Sequence, residues 1–394
     1  MRVFVLQLIS ILFLFQATAQ VNEKRVKIIS PDGLGVPFAH VYVQNNISIS
    51  TISNKEGLFL LNGSLLSKDD QVVISHVGYQ SKEIPFNDLD SIVSLNFHEI
   101  PEVAIYPFQA NELILKVTKK IEQSYFSKTY NAKGFYREVM LEDDEGVLAG
   151  ELAFNSLIES NPSKGDRIEV INGRKSEDFR SIKSELIFWI PEILANEPSR
   201  TRKEFLSKEG VKSYDYKILG RDYYEGKEIY KLSFASKACD SCKNIPSRKG
   251  VIRVDVKNFS ILEIEYDYDK NHNIPLLKEK LIGLNRVAGT NLKTTFKIKY
   301  KNYKNNYYPF FYDVKTEFIF ANEGKAITTT FLLKMIINEV NFGKLESVKN
   351  NYRSEKGLQA QAKMKFDNEF KNPTAYIIPS LIEEKAIEQI LSRK

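Results

Sequence analysis

Apolar and polar residues alternate along most of the chain with a period of two, which predicts β-strands. The clearest run is GVIRVDVKNFSILEIEYDY at residues 250–268. Ile252 and Val254 alternate there with charged residues, and Leu262 and Ile264 repeat the pattern after a turn. Similar runs precede and follow this one. Successive hairpins with one apolar and one charged face predict an antiparallel meander that curls around a core.

The part of the chain between Lys24 and Ile105 consists of short apolar runs separated by turn residues. Pro31-Asp-Gly33 and Asn54-Lys-Glu-Gly57 are two of these turns. Glycine permits the positive φ that a tight turn often requires. Because no helical period interrupts the short strands, we predict a compact β-sandwich for this part.

Three motifs in this part resemble the carboxypeptidase regulatory-like domain. They are Val36-Pro-Phe-Ala-His-Val41, Asn54-x-x-Gly57-x-Phe59 and Ile74-Ser-His-Val-Gly78-Tyr79, in that order. The resemblance covers residues 20–105 and implies a transthyretin-like sandwich of seven strands. Such domains are common at the front of exported envelope proteins of Bacteroidota. The segment VQNNISIST departs from the pattern because it lacks the glycine that is usual in that hairpin.

The histidine in the third motif could belong to a catalytic site or to a strand end. A zinc carboxypeptidase needs a histidine with a glutamate three residues later, and none of the four histidines has this partner. His76 alternates with Ile74 and is followed by Gly78, where the backbone can bend. We therefore interpret His76 as a structural residue beside a turn.

Helical patterns are few in the rest of the chain: the segment LIFWIPEIL at residues 186–194 is interpreted as a buried amphipathic helix, and two other segments have recognisable caps. Asn111 is expected to cap a helix with one apolar stripe, and Ser380 and Glu383 form a capping box near the C-terminus. The predicted fold is therefore mainly β. It comprises a transthyretin-like β-sandwich at residues 20–105 and a larger antiparallel half-barrel-like domain with a few helices at residues 106–394.

The hairpins DYYEGKEIYKLSF and GVIRVDVKNFSILEIEYDY resemble the lipoprotein-carrier fold of the LolA/LolB type. That fold is a curled antiparallel half-barrel closed by helices. Its apolar concavity can hold acyl chains. The resemblance implies an apolar ligand for this part of the chain.

The first nineteen residues have the features of a secretory signal peptide. Arg2 precedes the apolar run Val3–Phe15, and Ala17-Thr-Ala19 provides the cleavage pattern. We expect a periplasmic or secreted protein, with outer-membrane association left open and no integral span in the mature chain. The formal charge of +6 arises from 56 basic and 50 acidic residues spread along the chain. This distribution lacks the basic patch of a nucleic-acid-binding protein.

The only two cysteines, Cys239 and Cys242, are separated by two residues. In an oxidising compartment they are most simply a disulfide that closes a tight loop. A redox pair and a zinc site are the alternatives. Because no second Cys/His pair lies near in sequence and the flanks are strands, we predict the disulfide, with no metal and no cofactor.

The sequence contains no nucleophile elbow, P-loop or dinucleotide-binding fingerprint. The prediction is a non-enzymatic exported cell-envelope protein that binds an apolar or polymeric envelope ligand or a partner protein. A hydrolase of unrecognised type acting on envelope material and a structural adaptor of an outer-membrane complex are the alternatives. Phe188, Trp189, Leu262 and Ile264 are expected at the rim of a ligand cavity. A tyrosine-rich face that could bind glycan or peptide is formed by Tyr300, Tyr303, Tyr307 and Tyr308.

Overall fold

The structure is a computed structural model that describes residues 23–98, 106–177, 190–237, 247–268, 289–322, 325–351, 364–365 and 376–393. The predicted signal peptide, the cysteine pair, Phe188 and Trp189 lie outside these residues. The strands are β1 (Glu23–Ile29), β2 (His40–Val43), β3 (Asn46–Ile52), β4 (Leu58–Asn62), β5 (Gln71–Ser75), β6 (Lys82–Pro85), β7 (Ile92–Ser94), β8 (Tyr130–Glu142), β9 (Glu145–Ile158), β10 (Arg167–Glu177), β11 (Tyr214–Tyr224), β12 (Lys227–Ser236), β13 (Arg248–Asp255), β14 (Ile261–Tyr268), β15 (Gly289–Tyr303), β16 (Asn306–Asn322), β17 (Lys325–Asn341) and β18 (Met364–Lys365). The helices are α1 (Ala110–Ser124), α2 (Ile190–Ala195), α3 (Pro198–Thr201), α4 (Gly210–Ser213) and α5 (Leu381–Ser392).

The first seven strands form two sheets, with the orders β4-β1-β7 and β3-β2-β5-β6. Apolar side chains from both sheets are buried between them, among them Val26, Val41 and Phe59. Gly57 has a φ of +82°, and a Cβ there would lie 2.4 Å from the carbonyl oxygen of Ile28. The turn therefore requires glycine. The sandwich has the seven strands that the sequence resemblance implies.

The other eleven strands form one sheet in the order β11-β12-β13-β14-β15-β16-β17-β8-β9-β10-β18. All neighbours are antiparallel except β10 and β18, which are parallel. The described strands do not close into a barrel. The prediction of a mainly β fold with a large antiparallel sheet and few helices is confirmed.

The large sheet curls around the connection between β10 and β11. In that connection Arg200 pairs with Asp166 after β9, and Phe205 stacks on Phe234 of β12 with ring centroids 4.1 Å apart. Seven strand spacings separate β12 from β9, or about 34 Å in a flat sheet. Arg200 and Phe205 are only five residues apart, which spans at most about 18 Å of extended chain. The two contacts bring the β9 and β12 parts of the sheet to one short segment, which is the arrangement of a curved sheet.

The two faces of the large sheet have different coverings. On β8, Val139 packs against α5, and we call this face the outer face. Arg137 points to the outer face as well, whereas Tyr136 and Glu138 alternate with them and point to the opposite, inner face. α1 and the β10–β11 connection pack on the inner face.

The outer face carries a row of charged side chains that lie opposite each other on six neighbouring strands. Lys334 is 2.6 Å from Glu383 of α5 and 3.7 Å from Asp313. Glu383 is fully buried, and Lys334 and Arg137 outweigh the effect of burial to lower its pKa to about 2. The full row, from β15 to β10, is Lys297, Asp313, Lys334, Arg137, Glu151 and Arg174.

The β-sandwich is docked on the outer face by specific contacts. The Lys299 ammonium group donates a hydrogen bond to the carbonyl of Phe38 at 2.6 Å. The amide of Gly78 donates to the carbonyl of Tyr223 at 2.9 Å, and His98 stacks on Tyr223 at 3.7 Å. Backbone and ring contacts of this kind fix the orientation of the sandwich relative to the sheet.

Both predictions of a capped helix are borne out in position, and one cap differs. Ser380 and Glu383 form the predicted capping box of α5. α1 begins one residue before Asn111, and its capping box is formed by Gln109 and Glu112, so the prediction of Asn111 as the cap is wrong. Among the residues that the structure describes, no helix is long and apolar enough to cross a membrane.

Replacing Gly146 with alanine should loosen the packing of α5 on the sheet. A Cβ at Gly146 would lie 2.4–2.7 Å from backbone atoms of Ala386, and backbone cannot move aside without shifting the helix. We expect the free energy of unfolding to fall by about 1–3 kcal/mol. Chemical denaturation measures this change. Gly343→Ala is the matched control because its nearest neighbour is a side-chain atom of Asn341 at 3.2 Å. Equal losses in both variants would contradict the prediction.

Candidate functional site

The inner face of the large sheet is covered by α1 and by the β10–β11 connection. α1 buries one apolar stripe, whereas Leu115 on its other side is exposed. Tyr125, which follows α1, is fully buried, and its hydroxyl group both donates to the carbonyl and accepts from the amide of Ile261. This pair of hydrogen bonds holds the end of α1 against β14. The buried stripe of α1 consists of Leu113, Ile114, Val117 and Ile121.

Glu197 lies in the β10–β11 connection and is buried against the inner face of the large sheet. Its carboxylate accepts hydrogen bonds from the Ser199 hydroxyl at 2.6 Å and from the Arg200 amide at 2.7 Å. The hydroxyl of Tyr300 on β15 donates to the other carboxylate oxygen. Glu197 thus caps its own short helix and ties the connection to the centre of the sheet.

Arg200 ties the same connection to the loop between β9 and β10. Its guanidinium group donates to both carboxylate oxygens of Asp166, at 2.6 and 2.8 Å. It also donates to the carbonyls of Glu159 and Leu194 at 2.6 and 3.1 Å. A bidentate pair with two further carbonyl acceptors fixes the plane of this group. One nitrogen, Nε, is buried without a hydrogen-bond partner among the described residues.

Two tyrosine hydroxyl groups beside the Arg200–Asp166 pair are buried and have no hydrogen-bond partner among the residues that the structure describes. The side chains of Tyr130 and Tyr312 are 1% exposed. Within the described part of the chain, neither hydroxyl group has a hydrogen-bond partner. Buried hydroxyl groups in proteins are normally paired because leaving one unpaired costs about 1–3 kcal/mol. We define Tyr130, Tyr312, Glu197 and Arg200 as the polar cluster.

The electrostatics of the polar cluster keep its tyrosines neutral. Burial raises the pKa of Tyr130 and Tyr312 well above the usual value, and the nearby carboxyl groups raise it further. Burial also raises the pKa of Glu197, although hydrogen bonds from Ser199 and Tyr300 oppose this. The cluster therefore offers O–H and N–H donors in an apolar setting. This arrangement suits the polar end of an apolar molecule. Among the described residues, no group of three or more His, Cys, Asp or Glu could hold a metal ion.

The structure separates the two predicted rim residues that it describes. Ile264 is fully buried and points to the inner face. Leu262 is the extra residue of a β-bulge between the pairs Val254–Ile261 and Arg253–Glu263. It packs instead in a cluster with Val77 of the sandwich. The expectation that Leu262 faces the same side as Ile264 is wrong, because one bulged residue reverses the alternation.

The tyrosine-rich segment is largely interior. Tyr300, Tyr307 and Tyr308 are at most 4% exposed. Tyr307 stacks on Tyr125 at 4.9 Å, and Tyr308 packs near Tyr130 at 6.2 Å. These rings therefore pack around the polar cluster and do not form an exposed face for glycan or peptide.

No protein-family model matches the sequence, and no curated protein is matched by it. Two solved structures are among those that the comparison of structures matches with this chain. One is a DUF1329 family protein from Desulfovibrio piger, with 10% identity and a TM-score of 0.26 over 60% of this chain and 93% of that chain. The other is lipovitellin, described for its lipid–protein interactions, with 8% identity and a TM-score of 0.27 over 61% of this chain and 28% of that chain. TM-scores this low do not define a common fold, so neither likeness bears on function.

Proposed function

We propose that the protein is a non-enzymatic, exported cell-envelope protein that binds an apolar ligand with a polar end group. The polar end binds at the polar cluster, and the apolar part lies along the inner face of the large sheet. Association with a partner protein of the envelope is compatible with this role.

The observation that carries the proposal is that the buried hydroxyl groups of Tyr130 and Tyr312 have no partner within the described part of the chain. A protein interior that served only stability would favour phenylalanine at these positions, since a buried unpaired hydroxyl group is costly. The side chains directly opposite Tyr312 on the neighbouring strands, Ile298 and Met335, are apolar and at most 1% exposed. Donors within an apolar surface are the usual composition of a small-molecule site.

The proposal keeps the predicted division of the chain. Residues 1–19 are a signal peptide, residues 20–105 a carboxypeptidase regulatory-like domain and residues 106–394 the ligand-binding domain. The location is periplasmic or secreted, with Cys239 and Cys242 joined as a disulfide. In this arrangement the sandwich packs on the outer face, and the ligand lies between the inner face and the segments that cover it.

Removing the Tyr312 hydroxyl group should weaken ligand binding without weakening the fold. Tyr312→Phe keeps the ring and removes an O–H group that has no described protein partner. We expect oleate to bind three- to tenfold less tightly, the usual effect of one neutral hydrogen bond. The thermal midpoint should stay unchanged or rise. Titration followed by Trp189 emission measures binding, since Trp189 is the only tryptophan and directly precedes the buried Ile190.

Tyr125→Phe is the matched control, because that hydroxyl group is already paired with the Ile261 backbone. This variant should lose stability and keep its affinity for oleate once folded. Saturable binding that is equal in wild type and Tyr312→Phe would place the ligand elsewhere. The absence of any saturable response to oleate, confirmed by calorimetry, would favour an adaptor role.

A further inference from the structure

A second polar group lies on the inner face, apart from the polar cluster. Glu138 on β8 is 1% exposed, and the hydroxyl group of Tyr136 donates to its Oε2 atom at 2.9 Å. Its Oε1 atom is buried and has no hydrogen-bond partner among the described residues. Leu333 and Gly150 lie directly opposite Glu138 on the neighbouring strands. A carboxyl group is thus enclosed by apolar neighbours with one oxygen available.

The position of Glu138 relative to the polar cluster follows from the register of the sheet. Tyr312 on β16 lies opposite Met335 on β17, which lies opposite Tyr136 on β8. Two strand spacings and one two-residue step along β8 therefore separate Tyr312 from Glu138, about 12 Å between Cα atoms. Met335 and Leu333 occupy the inner face between them. The two polar groups thus lie at opposite ends of a short apolar surface.

We infer that Glu138 and Tyr136 form a second subsite that donates a hydrogen bond to a carbonyl oxygen within the apolar part of the ligand. This inference rests on the proposed function and narrows the ligand class. The ligand is an apolar chain with a keto, ester or amide carbonyl about 12 Å from its polar end.

The protonation state of Glu138 supports a donor role. Burial raises the pKa of Glu138 to about 8, and the Tyr136 hydrogen bond only partly opposes this. Within the described residues, Tyr136 is the only titratable group that affects it, and no basic side chain does so. The facing residues on β9 and β17, Gly150 and Leu333, carry no charge. A neutral carboxyl group has one O–H to donate, whereas a carboxylate only accepts.

Two probes that differ by one carbonyl group test the inference on the full chain. Stearate and a mid-chain oxostearate have the same length and the same polar end. We expect the wild-type protein to bind the oxostearate about tenfold more tightly at pH 7. Glu138→Met should remove this preference. Glu138→Gln should keep most of it, because the amide nitrogen is also a donor. The preference of the wild type for oxostearate over stearate should decline above pH 8, whereas the preference of Glu138→Gln should not change with pH.

Infrared difference spectra provide a readout that is independent of affinity. The keto band of the bound oxostearate should shift to lower frequency in the wild type and in Glu138→Gln, and should not shift in Glu138→Met. Equal binding of both probes by the wild type would overturn the subsite and leave the proposed function intact. Loss of the preference in Glu138→Gln would overturn the donor role. Failure of both probes to bind would overturn the proposed function together with this inference.

Discussion

Replacing Glu151 with glutamine should be among the most destabilising single changes in the chain. Glu151 and Arg137 are both fully buried on the outer face, and the Arg137 Nε atom donates to Glu151 Oε1 at 2.6 Å. Arg174 donates to the other oxygen at 2.6 Å. Arginine does not lose its charge in proteins. Without the carboxylate, Arg137 remains charged and buried, and we expect a loss of about 3–5 kcal/mol in the free energy of unfolding.

Glu145→Gln is the matched control for this measurement, because Glu145 lies on the same strand. Its side chain is 48% exposed and pairs with Arg393 at 3.0 Å, so its loss should cost at most about 1 kcal/mol. Urea denaturation at pH 7 measures both variants. A cost for Glu151→Gln that is no larger than the control would show that the outer row of charges does not stabilise the fold.

The features of the fold that depend on neighbouring residues could be predicted from the sequence. The hairpin turn at Glu225–Gly226 has positive φ at both residues, as a tight turn between twisted strands requires. Ser380 and Glu383 cap α5 because both partners of a capping box lie within four residues. Alternation also predicts the strands themselves. Local chemistry was therefore sufficient for most elements of the large sheet.

The candidate site could not be predicted because its residues meet only in the folded chain. Tyr300 donates to Glu197, which lies 103 residues earlier. On β8 both faces are covered, so the segment GFYREVMLE shows no clear alternation and does not reveal Glu138 as an inward carboxyl group. One signal was present in the sequence. Residues two apart on a strand share a face, so Glu138 shares its face with the large side chains of Tyr136 and Met140. At Leu262 a single bulge reversed the predicted face.

Replacing Glu263 with glutamine should weaken both the large sheet and the docking of the sandwich. Glu263 is 3% exposed, and it lies 2.5 Å from the Arg253 guanidinium group and 3.2 Å from the Lys299 ammonium group. Lys299 is buried as well and donates to the carbonyl of Phe38. Burial lowers the pKa of Lys299 to about 8 even with Glu263 beside it, so without the carboxylate Lys299 must either lose its proton or stay charged beside Arg253 with no counter-charge between them. We expect a loss of about 3–5 kcal/mol in the free energy of unfolding.

The pH dependence of this loss identifies its electrostatic origin. Burial disfavours the charged form of Glu263, but Lys299 and Arg253 outweigh it and lower its pKa below the ordinary 4.5. A carboxyl group with a lowered pKa contributes stability above its unfolded pKa and loses it as the pH falls through the folded value. The difference in the free energy of unfolding between wild type and Glu263→Gln should therefore reach its largest value by pH 7 and decrease as the pH falls below 4.5.

Two further variants separate the effect of the Glu263 charge from that of side-chain packing at the junction between sandwich and sheet, where Lys299 contacts Phe38. Glu265→Gln, on the same strand, removes a carboxylate that is 44% exposed and should cost at most about 1 kcal/mol. The double change Glu263→Leu with Lys299→Met should recover part of the loss, because apolar residues can replace a buried ion pair. Because Lys299 also contacts Phe38, the double change should still expose the junction to proteolysis. A loss that is independent of pH, or a junction as protected as in the wild type, would contradict an ionic link between sandwich and sheet.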